Sequence, residues 1–202
     1  GRVLLGLGLG EAMNLDPFGI KWDRPLTRTE EAIRVMKQLW ISPRTNFIGQ
    51  FYNLKDAYVQ IEFVQKPHPP IYLAAGSPRS RRLVGKIANG WIALGMTPEL
   101  YRKDIADVQA GAKEAGLAPR SIDVACTMHT AISDATEAAR NAVIDSARMM
   151  LLCWPNQLER LGYKARKEFN WLKLLVKEGS EQRIKMHLGE VPIKAAEQVV
   201  IY

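Results

Sequence analysis

The amino-acid sequence predicts an α/β fold, and more specifically a partial (β/α)8 TIM barrel. Short apolar runs alternate with segments of helical spacing, which is the pattern of parallel strands joined by right-handed crossovers. We count four such βα units over residues 1–152, whereas a closed barrel needs eight strands. The chain also begins inside a predicted strand and ends on an apolar run. We therefore expect a single domain over residues 1–202, a piece of a larger barrel without its first strands and C-terminal end.

The first predicted elements are a strand, a helix and a hairpin. The run VLLGLG at residues 3–8 is continuously apolar, which is typical of a strand buried on both faces. Apolar residues at helical spacing predict a helix over residues 28–41, with Thr27 as its N-cap. The segment NFIGQFYNL at residues 46–54 indicates a short hairpin around Gly49.

Two further strands follow, with a helix between them. A proline-rich approach leads into the apolar run IYLAA, which predicts a buried strand over residues 71–75. Pro78 suits the first turn of a helix, which we expect to continue to about residue 88. The segment GWIALG at residues 90–95 then predicts a third short strand.

The remaining chain is predicted to be mainly helical. A helix over residues 98–115 is expected between Thr97 as N-cap and Gly116 as C-cap. A fourth strand is expected over residues 121–132, and Asp134 is expected to cap a long helix that ends near residue 152. Residues 153–202 are predicted to form a mostly helical insertion that returns toward the last strand. Its predicted segments are helices over 156–162, 166–178 and 180–188, then an apolar stretch over 192–201.

The composition argues against several classes of function. Hydrophobic residues make up 47% of the 202 residues and charged residues 24%, and no apolar run is long enough for a membrane span. The net charge is +7, but basic and acidic residues alternate along the helices, so we expect a solvated surface rather than nucleic-acid binding. Two distant cysteines and three scattered histidines predict a cytoplasmic protein without a metal site.

The opening stretch GRVLLGLGLGEAMN has the features of a functional site at the end of a strand. Its glycines remove side chains, so a flat ligand can approach the backbone. Glu11 then offers a proton donor or acceptor, and Asn14 offers amide donors and an acceptor. From the residues alone, a functional site and a plain glycine-rich junction with a surface glutamate are equally compatible with this stretch.

The stretch AAGSPRSRR is the second candidate. Small residues lead into a helix N-terminus, where backbone N–H groups make a phosphate site. The residues expected to form it are Ala74, Ala75, Gly76 and Ser77. Arg79, Arg81 or Arg82 could add positive charge, although helical geometry directs most of them to solvent, and we favour Arg79. The alternative is a basic, solvated helix start.

Two long segments together resemble the luciferase-like monooxygenase superfamily. They are GRVLLGLGLGEAMN…PFGIKWDRPLTRTEEAIRVMKQLW and PPIYLAAGSPRSRRLVGKIANGWI. The resemblance is to the branch that uses coenzyme F-420, a 5-deazaflavin, which includes methylenetetrahydromethanopterin reductases and F-420-dependent glucose-6-phosphate dehydrogenases. The box from Gly10 to Asn14 is fairly specific to deazaflavin users. The AAGSP turn followed by NGWI is typical of the wider superfamily.

The resemblance implies roles for the candidate residues. Glu11 is expected at the deazaflavin ring as the catalytic proton donor, and Asn14 is expected to hydrogen-bond the ring. Gly10 belongs to the same box, and the cofactor's phosphate is expected at the turn from Ala74 to Ser77, with Arg79 beside it. An acid or amide at the ring would stabilise the negative charge that hydride transfer creates.

The chain also departs from parts of the family pattern. The segment ALGMTPEL lacks the lysine expected where the glucose-6-phosphate dehydrogenases hold sugar phosphate, so that substrate is disfavoured. We expect an F-420-dependent oxidoreductase that resembles the methylenetetrahydromethanopterin reductases, acts on a small organic molecule and forms a homodimer or another homo-oligomer. One alternative is an FMN-dependent monooxygenase of the same superfamily, and another is a non-catalytic barrel subunit.

Overall fold

Strands and helices alternate along most of the chain, as the sequence predicts. The computed structural model describes residues 1–165 and 185–202. The strands are β1 (Leu5–Leu7), β2 (Thr45–Ile48), β3 (Asn53–Ala57), β4 (Ile71–Ala74), β5 (Gly90–Leu94), β6 (Asp123–Thr127), β7 (His129–Thr130) and β8 (Val200–Ile201). The α-helices are α1 (Ala12–Leu15), α2 (Pro25–Ile41), α3 (Pro78–Ile87), α4 (Pro98–Glu114), α5 (Thr136–Cys153), α6 (Pro155–Arg160) and α7 (Ile193–Glu197). Short 3-10 helices cover Asp16–Phe18 and Leu188–Glu190.

The main sheet has four strands in the order β1-β4-β5-β6. Strand β4 pairs in parallel with both β1 and β5, which confirms the α/β class with parallel strands. Strands β2 and β3 form a separate antiparallel pair, which confirms the hairpin predicted around Gly49. The carboxyl ends of β1 and β4 therefore lie at the same edge of the sheet.

The chain divides into two compact units. The first contains Gly1–Ala93 and Arg102–Ala125, and the second contains Leu94–Tyr101 and Cys126–Tyr202. The single domain expected over residues 1–202 stays a prediction. Within the described residues, no helix is both long and apolar enough to cross a membrane.

The core of the first unit is formed by side chains of β4, β5 and the helices α2, α3 and α4. Apolar side chains that are at most 5% exposed fill it: Ile33, Ile71, Leu73, Leu83, Val84, Trp91, Val108 and Ala112. The helices α3 and α4 approach closely at two glycines, because a Cβ on Gly85 would overlap the Val108 carbonyl and one on Gly111 would overlap the Arg82 carbonyl. The lack of side chains at these two positions permits this contact.

The hairpin is held to α2 by one carboxylate. Glu31 accepts backbone N–H groups from Gln50 (2.8 Å), Phe51 (2.9 Å) and Tyr52 (3.3 Å). These hydrogen bonds, with that from Phe51 the strongest influence, hold the pKa of the Glu31 carboxyl below its usual range. The loop that joins β2 and β3 therefore depends on an ionised glutamate.

Two further polar contacts join elements of the first unit. The Tyr72 hydroxyl on β4 donates to the Asp123 carboxylate on β6. This hydrogen bond raises the pKa of Tyr72 and lowers the pKa of Asp123. Lys37 on α2 donates from its Nζ to the Ile87 carbonyl at the end of α3 (2.6 Å), and its burial lowers its pKa.

The second unit is built around α5, which packs against α7 and β8. Ala147 and Leu151 of α5 are fully buried with Val191 and Val199. Arg148 donates to the carbonyl oxygens of Leu188 (2.7 Å) and Val191 (3.0 Å), which satisfies acceptors next to the 3-10 helix. Strands β7 and β8 of this unit pair in parallel.

Most predicted elements are present, but several boundaries differ. Helix α2 begins at Pro25, with Arg24 as its N-cap, so Thr27 is not the cap. Helix α5 begins at Thr136, with Ala135 as its N-cap, so Asp134 is not the cap either. The strand predicted over 121–132 is two strands, β6 and β7, in different sheets. The helix predicted over 166–178, and most of the one over 180–188, lie outside the described residues.

Candidate functional site

The two predicted site segments begin at neighbouring positions on one sheet edge. In the parallel pairing of β1 with β4, Leu7 is opposite Leu73. The box from Gly10 to Asn14 follows β1, and the turn from Ala75 to Ser77 follows β4. Parallel strands present the segments that follow them at the same edge, where α/β barrels place their active sites.

Glu11 and Asn14 are brought together by the start of α1. Glu11 is extended (φ −142°, ψ 139°) and immediately precedes the helix. The Asn14 side-chain amide donates from Nδ2 to Glu11 Oε2 at 3.2 Å, and the Asn14 backbone N–H donates to the Glu11 carbonyl at 3.0 Å. Glu11 is half-buried and Asn14 is exposed. The amide therefore fixes one carboxylate oxygen of Glu11.

The loop before Glu11 requires glycine at one position. Gly10 has φ +71°, and a Cβ there would lie 3.2 Å from Leu15 Cδ1. A side chain would therefore be strained by the backbone as well as crowded. Trp22 supports the loop from outside, because its indole Nε1 donates to the Leu9 carbonyl at 3.1 Å.

The second segment is a capped helix start. Ser77 is the N-cap of α3, and its Oγ accepts the Ser80 backbone N–H at 3.2 Å. In return, Ser80 Oγ accepts the Ser77 backbone N–H at 3.0 Å, which completes a capping box. Pro78 occupies the first turn, as predicted. The four residues from Ala74 to Ser77 thus form a defined turn rather than a loose loop.

This turn presents hydrogen-bond donors. Within the part of the chain that the structure describes, the backbone N–H groups of Gly76 and Arg79 have no hydrogen-bond partner. The Arg79 side chain is exposed and, among the same residues, makes no ion pair. Free N–H groups at a helix N-terminus beside a free cation can bind an anion.

Arg81 and Trp91 support the turn through contacts that the sequence did not predict. Helical geometry directs most arginines of the cluster to solvent, as expected, but Arg81 is 4% exposed and turns inward. Its guanidinium donates to the Gly76 carbonyl at 2.7 Å and pairs with Asp104 and Asp107 of α4. The sequence signal is its helical spacing: Arg81 lies three and four residues before Val84 and Gly85, which are buried.

Trp91 is fully buried. Its indole Nε1 also donates to the Ala75 carbonyl at 2.9 Å. Arg82, the third arginine of the cluster, is exposed and pairs with Glu114 at 3.5 Å. The three neighbouring arginines therefore have different roles.

The second unit contains a cavity of about 670 Å³. It is lined mainly by apolar side chains, including Leu94, Met128, Met149 and Trp154, with the imidazole of His129 among them. Across the residues that the structure describes, no three His, Cys, Asp or Glu side chains are grouped so that they could hold a metal ion.

Comparisons with known proteins agree with the geometry. The sequence profile of the family described as luciferase-like monooxygenase matches residues 1–186. An F-420-dependent glucose-6-phosphate dehydrogenase from Microbacterium testaceum is 38% identical over 128 residues, which are 61% of this chain and 38% of that protein. A 5,10-methylenetetrahydromethanopterin reductase from Methanolobus tindarius is 31% identical over 125 residues, which are 62% of this chain and 37% of that protein.

A solved structure shows the fold. The coenzyme F-420-dependent tetrahydromethanopterin reductase from Methanopyrus kandleri superimposes with a TM-score of 0.80 at 23% identity, over 98% of this chain and 60% of that one. The matched segments span little more than a third of the curated relatives named above. The prediction of a partial luciferase-like (β/α)8 barrel is confirmed. With a family match over residues 1–186, the chain belongs to the luciferase-like monooxygenase family.

Proposed function

We propose that the protein containing this chain is an F-420-dependent oxidoreductase, which transfers a hydride between the 5-deazaflavin and a small organic substrate. The observation that carries the proposal is the placement of the Glu11–Asn14 pair and the turn at Gly76 after neighbouring parallel strands. A ring-binding pair beside an anion-binding turn suits a cofactor that has a flat ring and a phosphate. The glucose-6-phosphate dehydrogenase and the Methanopyrus kandleri reductase named above are F-420-dependent by name, which supports this choice over FMN.

The residues at the sheet edge fit such a cofactor. A Cβ built on Gly8 or on Gly76 would have no heavy atom of the described residues within 4 Å beyond its chain neighbours, so both positions are open. Gly8 and Gly10 would allow the ring to approach the main chain. Ala74, Ala75, Gly76 and Ser77 would hold the phosphate through the turn, with Arg79 adding charge.

When bound, the deazaflavin supplies or accepts a hydride at its C5 atom. Glu11 would hold the proton that accompanies this transfer, on the carboxylate oxygen that Asn14 does not occupy. Asn14 would fix the orientation of Glu11 and contribute an amide to the ring. Because a deazaflavin poorly supports oxygen chemistry, reduction or dehydrogenation is favoured over oxygenation.

The substrate that we favour resembles that of the methylenetetrahydromethanopterin reductases. Glucose 6-phosphate is disfavoured, because Met96 and Thr97 follow β5 where a lysine is expected for the sugar phosphate. A homodimeric or other homo-oligomeric state, which rests on the resemblance to the family, and a cytoplasmic location, which rests on the composition, are further parts of this proposal.

The first test is a fluorescence titration of the full-length protein with F-420 and FMN in parallel. Tight binding of F-420 alone is expected. Tight binding of FMN alone would overturn the proposal and favour the oxygen-using monooxygenases. Binding of neither would favour a non-catalytic barrel subunit.

The second test separates catalysis from binding. Glu11→Gln should lower turnover of reduced F-420 with methylenetetrahydromethanopterin by about 100-fold or more, because a general acid is lost. The Kd for F-420 should change little, because the amide keeps the shape of the side chain. Asp16→Asn, an exposed carboxylate in the same segment, is the matched control and should retain full turnover. Equal turnover in the two variants would remove Glu11 from the mechanism.

A further inference from the structure

A buried tryptophan holds the first peptide of the turn that precedes α3. The indole Nε1 of Trp91, on β5, donates to the Ala75 carbonyl at 2.9 Å, and Trp91 is fully buried. Ala75 is itself only 9% exposed, whereas the next residue, Gly76, is exposed. The Ala75 carbonyl is therefore fixed toward the interior of the first unit, and the chain reaches the surface one residue later.

The planarity of this peptide carries the orientation of its carbonyl to a donor. The Ala75 carbonyl and the Gly76 N–H belong to the same peptide group, which is trans. In a trans peptide the C=O and N–H groups point in opposite directions. Because Trp91 holds the carbonyl inward, the Gly76 N–H points away from the interior. Among the residues that the structure describes, this N–H has no hydrogen-bond partner.

The next peptide is held by other side chains and has no such donor to offer. The Gly76 carbonyl accepts from Arg81 Nη1 at 2.7 Å, and the Ser77 N–H of the same peptide donates to Ser80 Oγ at 3.0 Å. Both polar groups of that peptide are therefore satisfied within the protein. In the peptide between Ala75 and Gly76, the carbonyl alone is satisfied, so its N–H is available to a ligand.

The surroundings of Gly76 suit an anion. A Cβ built on Gly76 would have no heavy atom of the described residues within 4 Å beyond its chain neighbours, so a ligand can approach the main chain there. Arg79, three residues later, has an exposed side chain. A donor that is already oriented binds more tightly than one that must be ordered during binding, because the ordering cost is avoided.

We propose that Trp91 is a positioning residue for the cofactor's phosphate. Its indole holds the Ala75 carbonyl inward and thereby aims the Gly76 N–H at the anion, without touching the anion itself. This inference rests on the proposed function, because that function assigns the phosphate to this turn. A phenylalanine at position 91 would keep an aromatic ring in the core but has no N–H, so the plane of the peptide would no longer be fixed.

The test compares two ligands that differ only by a phosphate. The full-length protein is titrated with the riboflavin-level deazaflavin and with its 5′-phosphate. The Kd of the first compound divided by the Kd of the second measures the benefit of the phosphate. Trp91→Phe should lower this ratio by about fivefold, because the Gly76 donor remains but is no longer oriented. The Kd of the unphosphorylated compound should stay within about twofold.

Trp22→Phe is the matched control. It also removes an indole hydrogen bond to a backbone carbonyl, that of Leu9 at 3.1 Å, but in the segment that we assign to the ring. Any loss of affinity in this variant should therefore be equal for the two compounds, and the ratio should be unchanged. Equal losses for both compounds in Trp91→Phe would show a merely structural role and overturn the proposal, as would an unchanged ratio in that variant.

A measurement on the wild-type protein covers the case in which Trp91→Phe does not fold. In NMR spectra, the Gly76 amide proton should move downfield when the 5′-phosphate binds, and much less when the unphosphorylated compound binds, because a hydrogen bond to phosphate deshields the proton. The Trp91 Nε1 proton should exchange slowly in both complexes, since it stays bonded to the Ala75 carbonyl. A Gly76 amide that responds equally to the two compounds would overturn the proposal.

The same titrations with FMN and riboflavin separate this inference from the proposed function. Binding of the FMN pair alone would refute the F-420 assignment, and Trp91→Phe would then test the inference through the phosphate of FMN. Binding of F-420 with a phosphate benefit that survives in Trp91→Phe would overturn the inference and leave the F-420 assignment in place. A wild-type protein that gains nothing from the phosphate in either pair would overturn the inference together with the phosphate site at this turn.

Discussion

At the residue scale, two tryptophans stabilise the backbone of the candidate site, although neither is a candidate catalytic or binding residue. Trp91 and Trp22 each donate an indole N–H to a backbone carbonyl in a candidate site segment, at Ala75 and Leu9 respectively. The carbonyl partners lie 16 and 13 residues away in sequence. The sequence predicts that both rings pack, because large aromatic residues usually do. It does not predict their partners, which depend on which strands become neighbours.

The two tryptophans differ in burial, which gives a matched pair of variants. Trp91→Phe should lower the free energy of unfolding by about 2–4 kcal/mol, because a fully buried ring shrinks and a buried carbonyl loses its donor. Trp22→Phe removes the same kind of hydrogen bond from a side chain that is 44% exposed, and should cost less than about 1 kcal/mol. Urea unfolding measures both. Equal losses of unfolding free energy in the two variants would show that the burial of Trp91 does not determine its contribution to stability.

Glu31 makes stability depend on pH. Its folded pKa lies below the ordinary glutamate value of 4.5, mainly because of the hydrogen bond from the Phe51 N–H. Its contribution is therefore present above pH 4.5 and is lost as the pH falls through the folded pKa. Glu31→Gln should lower the urea midpoint at neutral pH, and the difference from wild type should shrink in acid.

Glu30→Gln is the control for this prediction. Glu30 is the neighbouring residue and pairs with Arg34 at 2.6 Å, one turn along the same helix. Such a surface pair contributes little to stability, so this variant should stay close to wild type at every pH. A constant offset between Glu31→Gln and wild type across the pH range would contradict the argument.

At the scale of elements, the interiors of helices and strands were easier to predict than their ends. Thr97 caps α4 as expected, because its Oγ1 accepts the Leu100 N–H at 3.2 Å. Thr27 and Asp134 do not cap α2 and α5, which begin after residues without a side-chain cap. Pro25 supplies the fixed φ that starts α2 earlier. A cap is optional once packing stabilises a helix, so a polar residue near the start does not fix the boundary.

The segment predicted as one strand over residues 121–132 forms two strands with different partners, and no local sequence pattern reveals this division. The apolar run over residues 121–132 suggests one strand, yet β6 joins the main sheet and β7 pairs with β8. His129 is opposite Val200, a residue distant in sequence. The hydrophobic period and the β-propensity of a segment indicate which face of a strand is buried, but they do not indicate the neighbouring strand with which it forms hydrogen bonds. The return of residues 153–202 toward the last strand stays a prediction, and the pairing of β8 with β7 was not predicted.

The contact between α3 and α4 gives a prediction at this scale. Gly111→Ala should lower the free energy of unfolding by about 1–3 kcal/mol, because the added Cβ would overlap the Arg82 carbonyl and push the helices apart. Gly189→Ala is the control, since no described atom lies within 4 Å of a Cβ at that position, and it should be neutral or slightly stabilising. Thermal unfolding measures both. A neutral Gly111→Ala would mean that the helices can separate without cost.

At the scale of the whole molecule, the sequence predicted the residues that would face a ligand better than the buried residues that hold them in place. Glycines and polar residues at a strand end pointed to Glu11 and Asn14, and the structure brings the two together. Arg81 was missed because a basic residue on a helix normally faces water. The burial of Arg81 is favourable because Asp104 and Asp107 of α4 form ion pairs with its guanidinium. Residues that act through tertiary contacts have no signature in a local motif.

Three contacts of the first unit depend on an ionised carboxylate. They predict which elements lose stability in acid. The pKa is lowered for Glu31 by the Phe51 N–H, for Glu114 by Lys86 and for Asp123 by the Tyr72 hydroxyl. Each carboxylate joins two elements: hairpin to α2, α4 to α3, and β6 to β4. A lowered folded pKa means that stability is lost as the pH falls through it, so all three contacts weaken together.

Hydrogen exchange measured at neutral pH and near pH 4, corrected for the intrinsic rate, should therefore show lost protection first in these elements of the first unit. In the second unit α5 and α7 meet mainly through buried apolar residues such as Ala147 and Leu151, whose packing does not titrate. One partly exposed ion pair, Arg140–Glu197 (2.7 Å), also joins them, so protection there should fall less than in the first unit. The triple variant Glu31→Gln, Glu114→Gln and Asp123→Asn is the control, and its protection in the first unit should vary less with pH. If acid instead removed protection evenly from both units, these three carboxylates would not be the cause, because none of them lies in the second unit.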